Sequence, residues 1–266
     1  MKQVSILGCG WLGMPLAKKM IQNGFLVKGS TTSAHKIELL QSNDIKPYLI
    51  TLSENEIVGD FELFLSESEF LLIDIPPKLR GHQTENFVAK IKNTISFIEK
   101  SNIKKVLFVS STSVFADDNA VVSQYTVPNP ETESGKQLLE VEQLLQSNPN
   151  FKTTIIRFGG LIGEDRNPAR MLAGKTNVSN PNAAVNLIHQ QDCINSIVRI
   201  VALNAFPKTY NAVAPFHPTR KEYYTQKSKK LNLPLPEFDY TKPSVGKTIL
   251  SDYLMDDLGF IFTEGI

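Results

Sequence analysis

The chain is poor in the features that mark several protein classes. It has two cysteines in 266 residues, Cys9 and Cys193. Two thiols cannot form a disulfide framework, and Cys9 sits inside a glycine turn where a bridge would obstruct a ligand, so both read as free thiols of a reducing compartment. No apolar run reaches the length of a bilayer span. No charge excess exists either: 28 Lys plus Arg against 27 Asp plus Glu give a net charge of +1. This argues against a polyanion-binding surface, so no nucleic acid and no membrane is expected as a partner. The four histidines are scattered, with no H-x-x-x-H and no C-x-x-C, and no metal site is expected. Internal repeats and low-complexity stretches are missing, and no signal-peptide pattern precedes the first strand. The expectation is a cytoplasmic, globular protein.

What is present begins at the first strand. Val4, Ile6 and Leu7 form a short apolar run, followed at once by Gly8-Cys9-Gly10-Trp11-Leu12-Gly13, the spacing G-x-G-x-x-G. Leu12, Leu16, Met20 and Ile21 then recur at helical spacing, and Gly24 stands where a C-terminal cap belongs. Gly8 permits the tight turn, Gly10 lets backbone approach a pyrophosphate, and Gly13 lets helix and strand pack closely. The helix N-terminus offers unpaired N–H groups and a positive dipole end. Strand, turn and helix fall where dinucleotide binding needs them. The backbone of Gly8, Gly10, Trp11, Leu12 and Gly13 is therefore the candidate cofactor seat.

A second strand is expected near Phe25–Gly29. Cofactors without a 2′-phosphate are usually held at its end by an acid. Here the window Lys28-Gly29-Ser30-Thr31-Thr32-Ser33-Ala34-His35-Lys36 contains none. Ser30, Thr31, Thr32 and Lys36 can hydrogen-bond or pair with a 2′-phosphate, which favours NADP, with NAD as the alternative. The plainer reading is a polar loop with Ser33 as the next N-cap.

Further along, the pattern predicts a helix near Ala34–Ser42, a strand near Tyr48–Leu52 and an acid-rich surface loop (Glu54, Glu56, Asp60, Glu62). Phe70–Ile75 reads as a central parallel strand stopped by Pro76-Pro77. Its end, at Ile75 and Pro76, should face the cofactor, with Asp74 as a strand-end hydrogen-bonding residue. A helix near Thr84–Lys100 and a strand at Lys105–Ser110 follow. The alternation predicts a doubly wound parallel α/β sheet, whose ligands bind at the strands' C-terminal ends.

From here the chain resembles the short-chain dehydrogenase/reductase superfamily, in its extended, epimerase/dehydratase-like branch. Ser111-Thr112-Ser113-Val114-Phe115 looks like the S-x-x-V-Y segment, with Ser111 at the position of the family's catalytic Ser and Phe115 replacing Tyr. Pro130–Lys136 opens a helix where the family has Y-x-x-x-K. Lys136 matches the Lys, and Thr132 stands at the Tyr. An aliphatic hydroxyl starts several pKa units above a phenol and cannot serve as the family's general acid/base. Lys136 is still expected to bind the nicotinamide ribose, and Tyr125, upstream, is a candidate phenol. Thr153–Gly163 looks like the sixth strand and the loop near the nicotinamide, with Arg157 as a structural cation, and Arg166 and Pro168 follow in register. Val185–Asp192 resembles V-x-x-I-H-x-x-D, with His189 structural and Asp192 an N-cap or first-turn acid.

The resemblance implies a Rossmann-type nucleotide domain over 1–165, rejoined by 185–215, and a small C-terminal substrate lobe from 166–184 and 216–266. Two functions stay open. One is an NADP(H)-dependent oxidoreductase or epimerase acting on a small carbonyl or sugar-nucleotide-like molecule, with Ser111 orienting the carbonyl. The other is a cofactor-binding redox sensor or interaction module without turnover. The helices near 84–100 and 131–147 carry Lys, Glu and Gln outward, so no dimer is assigned.

Overall fold

The computed structural model describes residues 2–77 and 85–266. Seven strands form the central sheet: β1 (Gln3–Leu7), β2 (Leu26–Thr31), β3 (Lys46–Leu49), β4 (Phe70–Ile73), β5 (Lys105–Ser111), β6 (Lys152–Phe158) and β7 (Thr209–Ala212). Their order is β7-β6-β5-β4-β1-β2-β3, and every pairing is parallel. The order reverses at β1 and β4, the switch point at which doubly wound sheets bind ligands.

The helices are α1 (Gly13–Gln22), α2 (Ile37–Gln41), α3 (Phe61–Leu65), α4 (Phe87–Lys100), α5 (Glu133–Gln146), α6 (Ala169–Leu172), α7 (Gln190–Ala202), α8 (Arg220–Lys230) and α9 (Asp252–Leu258). They divide the core in two. Along β4, Phe70 and Leu72 face a cluster built with Leu16 and Met20 of α1 and Ile197 and Ile200 of α7. Leu71 and Ile73 face the other, with Phe64 of α3, Ile91 and Ile98 of α4 and Val141 of α5. A two-residue period with both faces apolar is the signature of a strand covered on both sides.

Several boundaries differ from expectation. β2 runs two residues further, to Thr31, because β3 pairs with Lys28–Thr31. The helix expected at 34–42 is a 3₁₀ turn (Ala34–Lys36) followed by α2. The strand expected at 48–52 starts at Lys46, and Thr51–Leu52 turns away to pair antiparallel with Ile57–Val58. The acid-rich stretch holds α3, whose N-cap Asp60 accepts the Leu63 N–H at 2.8 Å. Five residues are too few for helical periodicity to show. α4 starts at Phe87, where Asn86 caps it; Thr84, expected as its first residue, lies outside the described residues.

Beyond the sheet, Gly160–Ile162 pairs with Leu187–His189, and Val121–Val122 pairs with Thr248–Ile249. Ile162, Val185, Leu187 and Tyr223 of α8 make a small separate core. Leu254, Leu258 and Phe260 join the main core, and Asp257 of α9 accepts from Lys208 and from Tyr210 of β7. Apolar spacing on α9 draws it back under the sheet. Among the described residues, no helix is long and apolar enough to cross a membrane.

Candidate functional site

The glycine turn is built as its spacing requires. Gly8 has φ +109°, and a Cβ there would stand 2.3 Å from the Asp74 carbonyl oxygen. A Cβ on Gly13 would stand 2.0 Å from the Gly8 carbonyl oxygen. These two glycines fix the turn against β4 and α1. Gly10 differs, because nothing lies within 4 Å of its Cβ position. It opens onto free space, as the approach of a ligand to backbone demands. The N-cap residue of α1, Leu12, makes no side-chain capping bond and the first turn holds no acid, though the Asp74 carboxyl accepts from the Gly13 amide. Beside it lies a pocket of about 300 Å³, lined by Cys9, Gly10, Trp11, Met14, Lys36, Leu39 and Leu40.

The end of β2 is tied to the glycine turn. Ser30 is buried, and its Oγ accepts the Gly8 N–H at 2.9 Å while its carbonyl accepts the Cys9 N–H at 2.8 Å. It holds the turn. Thr31 is buried and accepts the Ser33 N–H at 3.1 Å. Thr32 is exposed, and Lys36 lines the pocket. Ser33 precedes the 3₁₀ turn without a side-chain capping bond. Lys28 leaves the loop altogether: it is 2 % exposed, and its Nζ donates to Leu63 O, Ser66 O and Ser66 Oγ at 2.6–2.9 Å. It caps the C-terminus of α3, and burial pulls its ammonium pKa down.

At the end of β4, Ile75 packs beneath Gly8, its Cγ2 2.8 Å from where a Cβ would be, and Pro76 is exposed. The Asp74 carboxyl lies against Gly13, with Oδ2 3.1 Å from the Cβ position there. Burial pushes its pKa up to about 8, and a hydrogen bond from the Gly13 amide works the other way. Burial also raises the Cys9 thiol, to about 12, with Asp74 adding to it. Neither cysteine is bridged, and both are buried.

The second half of the site gathers at the ends of β5 and β6. Ser111 ends β5, and its Oγ accepts the Ser113 N–H at 3.2 Å. Gly135 of α5 presses on this turn so closely that a Cβ would meet the Ser113 carbonyl oxygen at 2.2 Å. Thr132 is the N-cap of α5, its Oγ1 accepting the Gly135 N–H at 3.1 Å. The inward face of α5 is Gly135, Leu138, Val141, Glu142 and Leu145. Lys136 falls on the exposed stripe with Glu140 and Gln143. The helix face that meets Ser111–Val114 thus carries neither Thr132 nor Lys136. Tyr125 is 85 % exposed.

Arg157 is structural, as expected. Its guanidinium grips Glu142 through Nε at 3.0 and 3.1 Å and Nη2 at 2.6 Å. Ser110 Oγ donates to the same carboxylate at 2.5 Å. His189 is the N-cap of α7, its Nδ1 accepting the Gln191 N–H at 3.3 Å. Asp192 lies in the first turn of α7, not at the cap. It accepts the N–H groups of Thr263 and Glu264 and the Thr263 hydroxyl, and so ties down the C-terminal segment.

Some site residues carried no signal in the sequence. The Trp11 indole N–H donates to Asp165 Oδ1 at 2.8 Å, and the Gln190 side chain donates to the Trp11 carbonyl at 2.7 Å. Lys247 Nζ donates to the Phe115 carbonyl at 2.6 Å and pairs with Asp117 at 2.9 Å. Each joins segments more than a hundred residues apart, beyond the reach of spacing rules.

No protein-family model matches the chain. It is 35% identical over 263 residues to Protein YeeZ of Escherichia coli strain K12, covering 98% of this chain and 95% of that protein. Among solved structures, UDP-glucuronic acid 4-epimerase from Bacillus cereus, in complex with NAD, superimposes with a TM-score of 0.82 at 15% identity, covering 99% of this chain and 92% of that one. A short-chain dehydrogenase/reductase superfamily protein from Agrobacterium tumefaciens with bound NAD gives 0.78 at 14% identity, covering 99% and 93%.

Proposed function

The chain belongs to the same family as Escherichia coli Protein YeeZ, with the fold of the extended short-chain dehydrogenase/reductase branch, and on that premise we propose that it binds a nicotinamide dinucleotide, NADP(H) in preference to NAD(H). The observation that carries this reading is the turn at Gly8–Gly13, open over Gly10 at the start of a helix with no acid in its first turn. The residues present fit the group. Amides of Trp11 and Leu12 take the diphosphate, Gly10 gives it room, and the pocket at Met14, Lys36 and Leu39 takes the adenosine end. Lys36 and Thr32 are the side chains left for a 2′-phosphate, since Ser30 and Thr31 are buried.

The reaction we assign is oxidoreduction or epimerisation of a small carbonyl or sugar-nucleotide-like substrate. A bound nicotinamide supplies or accepts the hydride. The chain's part is positioning: Ser111 presents its hydroxyl at the end of β5, held by the Ser113 amide. A second reading, a cofactor-binding sensor without turnover, is favoured by α5, which uses Thr132 as a cap and turns Lys136 outward. Loss of a general acid costs about two to four orders of magnitude when nothing replaces it.

Calorimetric titration with NADP⁺, NADPH, NAD⁺ and NADH tests the reading. Tighter binding of the phosphorylated pair by about tenfold, roughly 1.4 kcal/mol, is expected, with Lys36→Ala removing the difference. Absence of binding by all four overturns the cofactor assignment. Turnover of a carbonyl panel with NADPH separates the enzyme from the sensor. A sensor gives no turnover and must bind oxidised and reduced forms unequally, because only differential affinity shifts a population.

A further inference from the structure

Arg166 stands at the glycine turn on a fixed platform. Its N–H and carbonyl are both bonded to Gly163, at 3.1 Å each, so its backbone closes a tight turn. Its guanidinium carbon lies 5.1 Å from the centroid of the Trp11 ring, within the range of a cation–π contact. Trp11 is itself pinned on three sides. Asp165 takes its indole N–H, Gln190 holds its carbonyl, and Gly163 approaches so closely that a Cβ there would stand 2.9 Å from Trp11 Cζ2. The residue whose ring holds the guanidinium is therefore part of the glycine turn itself, two residues before α1.

The charge is available. Arg166 is exposed, and among the described residues no carboxylate forms an ion pair with it. The Asp165 carboxylate is engaged by the indole. The turn itself offers a diphosphate only neutral amides. Guanidinium is the group best suited to the remaining need, since its planar fork pairs two phosphate oxygens at once.

We propose that Arg166 is a binding residue of the dinucleotide cradle, pairing with the cofactor diphosphate from its seat on Trp11. This rests on the cofactor assignment above. Asp165 and Gln190 are positioning residues in this arrangement, acting through Trp11. Lys36 serves the other, ribose-phosphate end.

The test uses Arg166→Met, which keeps an apolar chain on the indole and removes the charge, and Arg166→Lys, which keeps the charge without the fork. Binding of NADH, NADPH and ADP-ribose is followed by calorimetry and by the fluorescence of Trp11, the sole tryptophan. Arg166→Met is expected to weaken all three by about tenfold or more at low salt, by a common factor, and to flatten the salt dependence. Arg166→Lys recovers part of the loss. Adenosine 2′-monophosphate, which has no diphosphate, binds the variant as it binds the parent protein. Wild-type affinity of Arg166→Met for all three ligands overturns the proposal and leaves the cofactor reading standing. An equal loss for adenosine 2′-monophosphate overturns it as well, by putting Arg166 on the wrong phosphate. A parent protein that binds none of the dinucleotides overturns both.

Discussion

Replacing Glu142 by Gln removes the charge that holds Arg157. The pair is almost dry: Glu142 is 1 % exposed and Arg157 7 %. Three guanidinium contacts of 2.6–3.1 Å and the Ser110 hydroxyl at 2.5 Å converge on one carboxylate. Glutamine keeps the shape but offers one acceptor oxygen and no charge, so a buried guanidinium is left uncompensated. Breaking a buried pair from one side costs about 3–5 kcal/mol. For a chain of this size that lowers the thermal midpoint by about 10 °C. Urea unfolding is the assay, read as a lower midpoint at unchanged slope. Glu142→Leu combined with Arg157→Leu removes both charges and recovers most of the loss, since desolvation of the two ions then disappears with their attraction. A loss below about 1 kcal/mol for Glu142→Gln, or a double variant less stable than the single, refutes this reasoning. The loss should be felt at the site too, because Arg157 lies over the Phe115 ring and Ser110 adjoins Ser111.

Gly13→Ala forces the turn open, because its Cβ would sit 2.0 Å from the Gly8 carbonyl oxygen. We expect about 1–3 kcal/mol of lost stability and no calorimetric signal with any dinucleotide. Thr132→Ala removes a helix cap and costs about 1 kcal/mol, whereas Thr132→Asp keeps it; carbonyl turnover, where measured, is the same in both. Asp74→Asn gives a pH signature. The folded carboxyl holds its proton up to about pH 8 and the unfolded one releases it near 4. The parent protein therefore loses stability as pH rises through that window, by up to about 1.4 kcal/mol per unit. The variant lacks this slope, so its advantage in thermal midpoint grows from pH 5 to 8 and then levels off.

The first half of the sheet was legible because its signals are local. Gly8, Gly10 and Gly13 are demanded by sterics within six residues, and strand and helix alternate in apolar patterns that need no partner to be read. The phase of α5 was harder. The family spacing puts Thr132 and Lys136 on one helical face, but that face is decided by where Gly135 meets the Ser113 carbonyl. A rotation of one residue, about 100°, separates an inward lysine from a solvated one.

The sequence by itself determined the parallel α/β sheet, the glycine turn and the missing acid at the end of β2. Those follow from short-range backbone sterics and side-chain periodicity, which any chain carries in its order of residues. Only the tertiary structure decided that Ser30 braces the turn and Lys28 caps α3. It alone brought Trp11 against Asp165, Arg166 and Gln190, across more than 150 residues. A polar side chain's role depends on which donors and acceptors packing leaves within about 3 Å of it, and that is fixed only once the layers have closed.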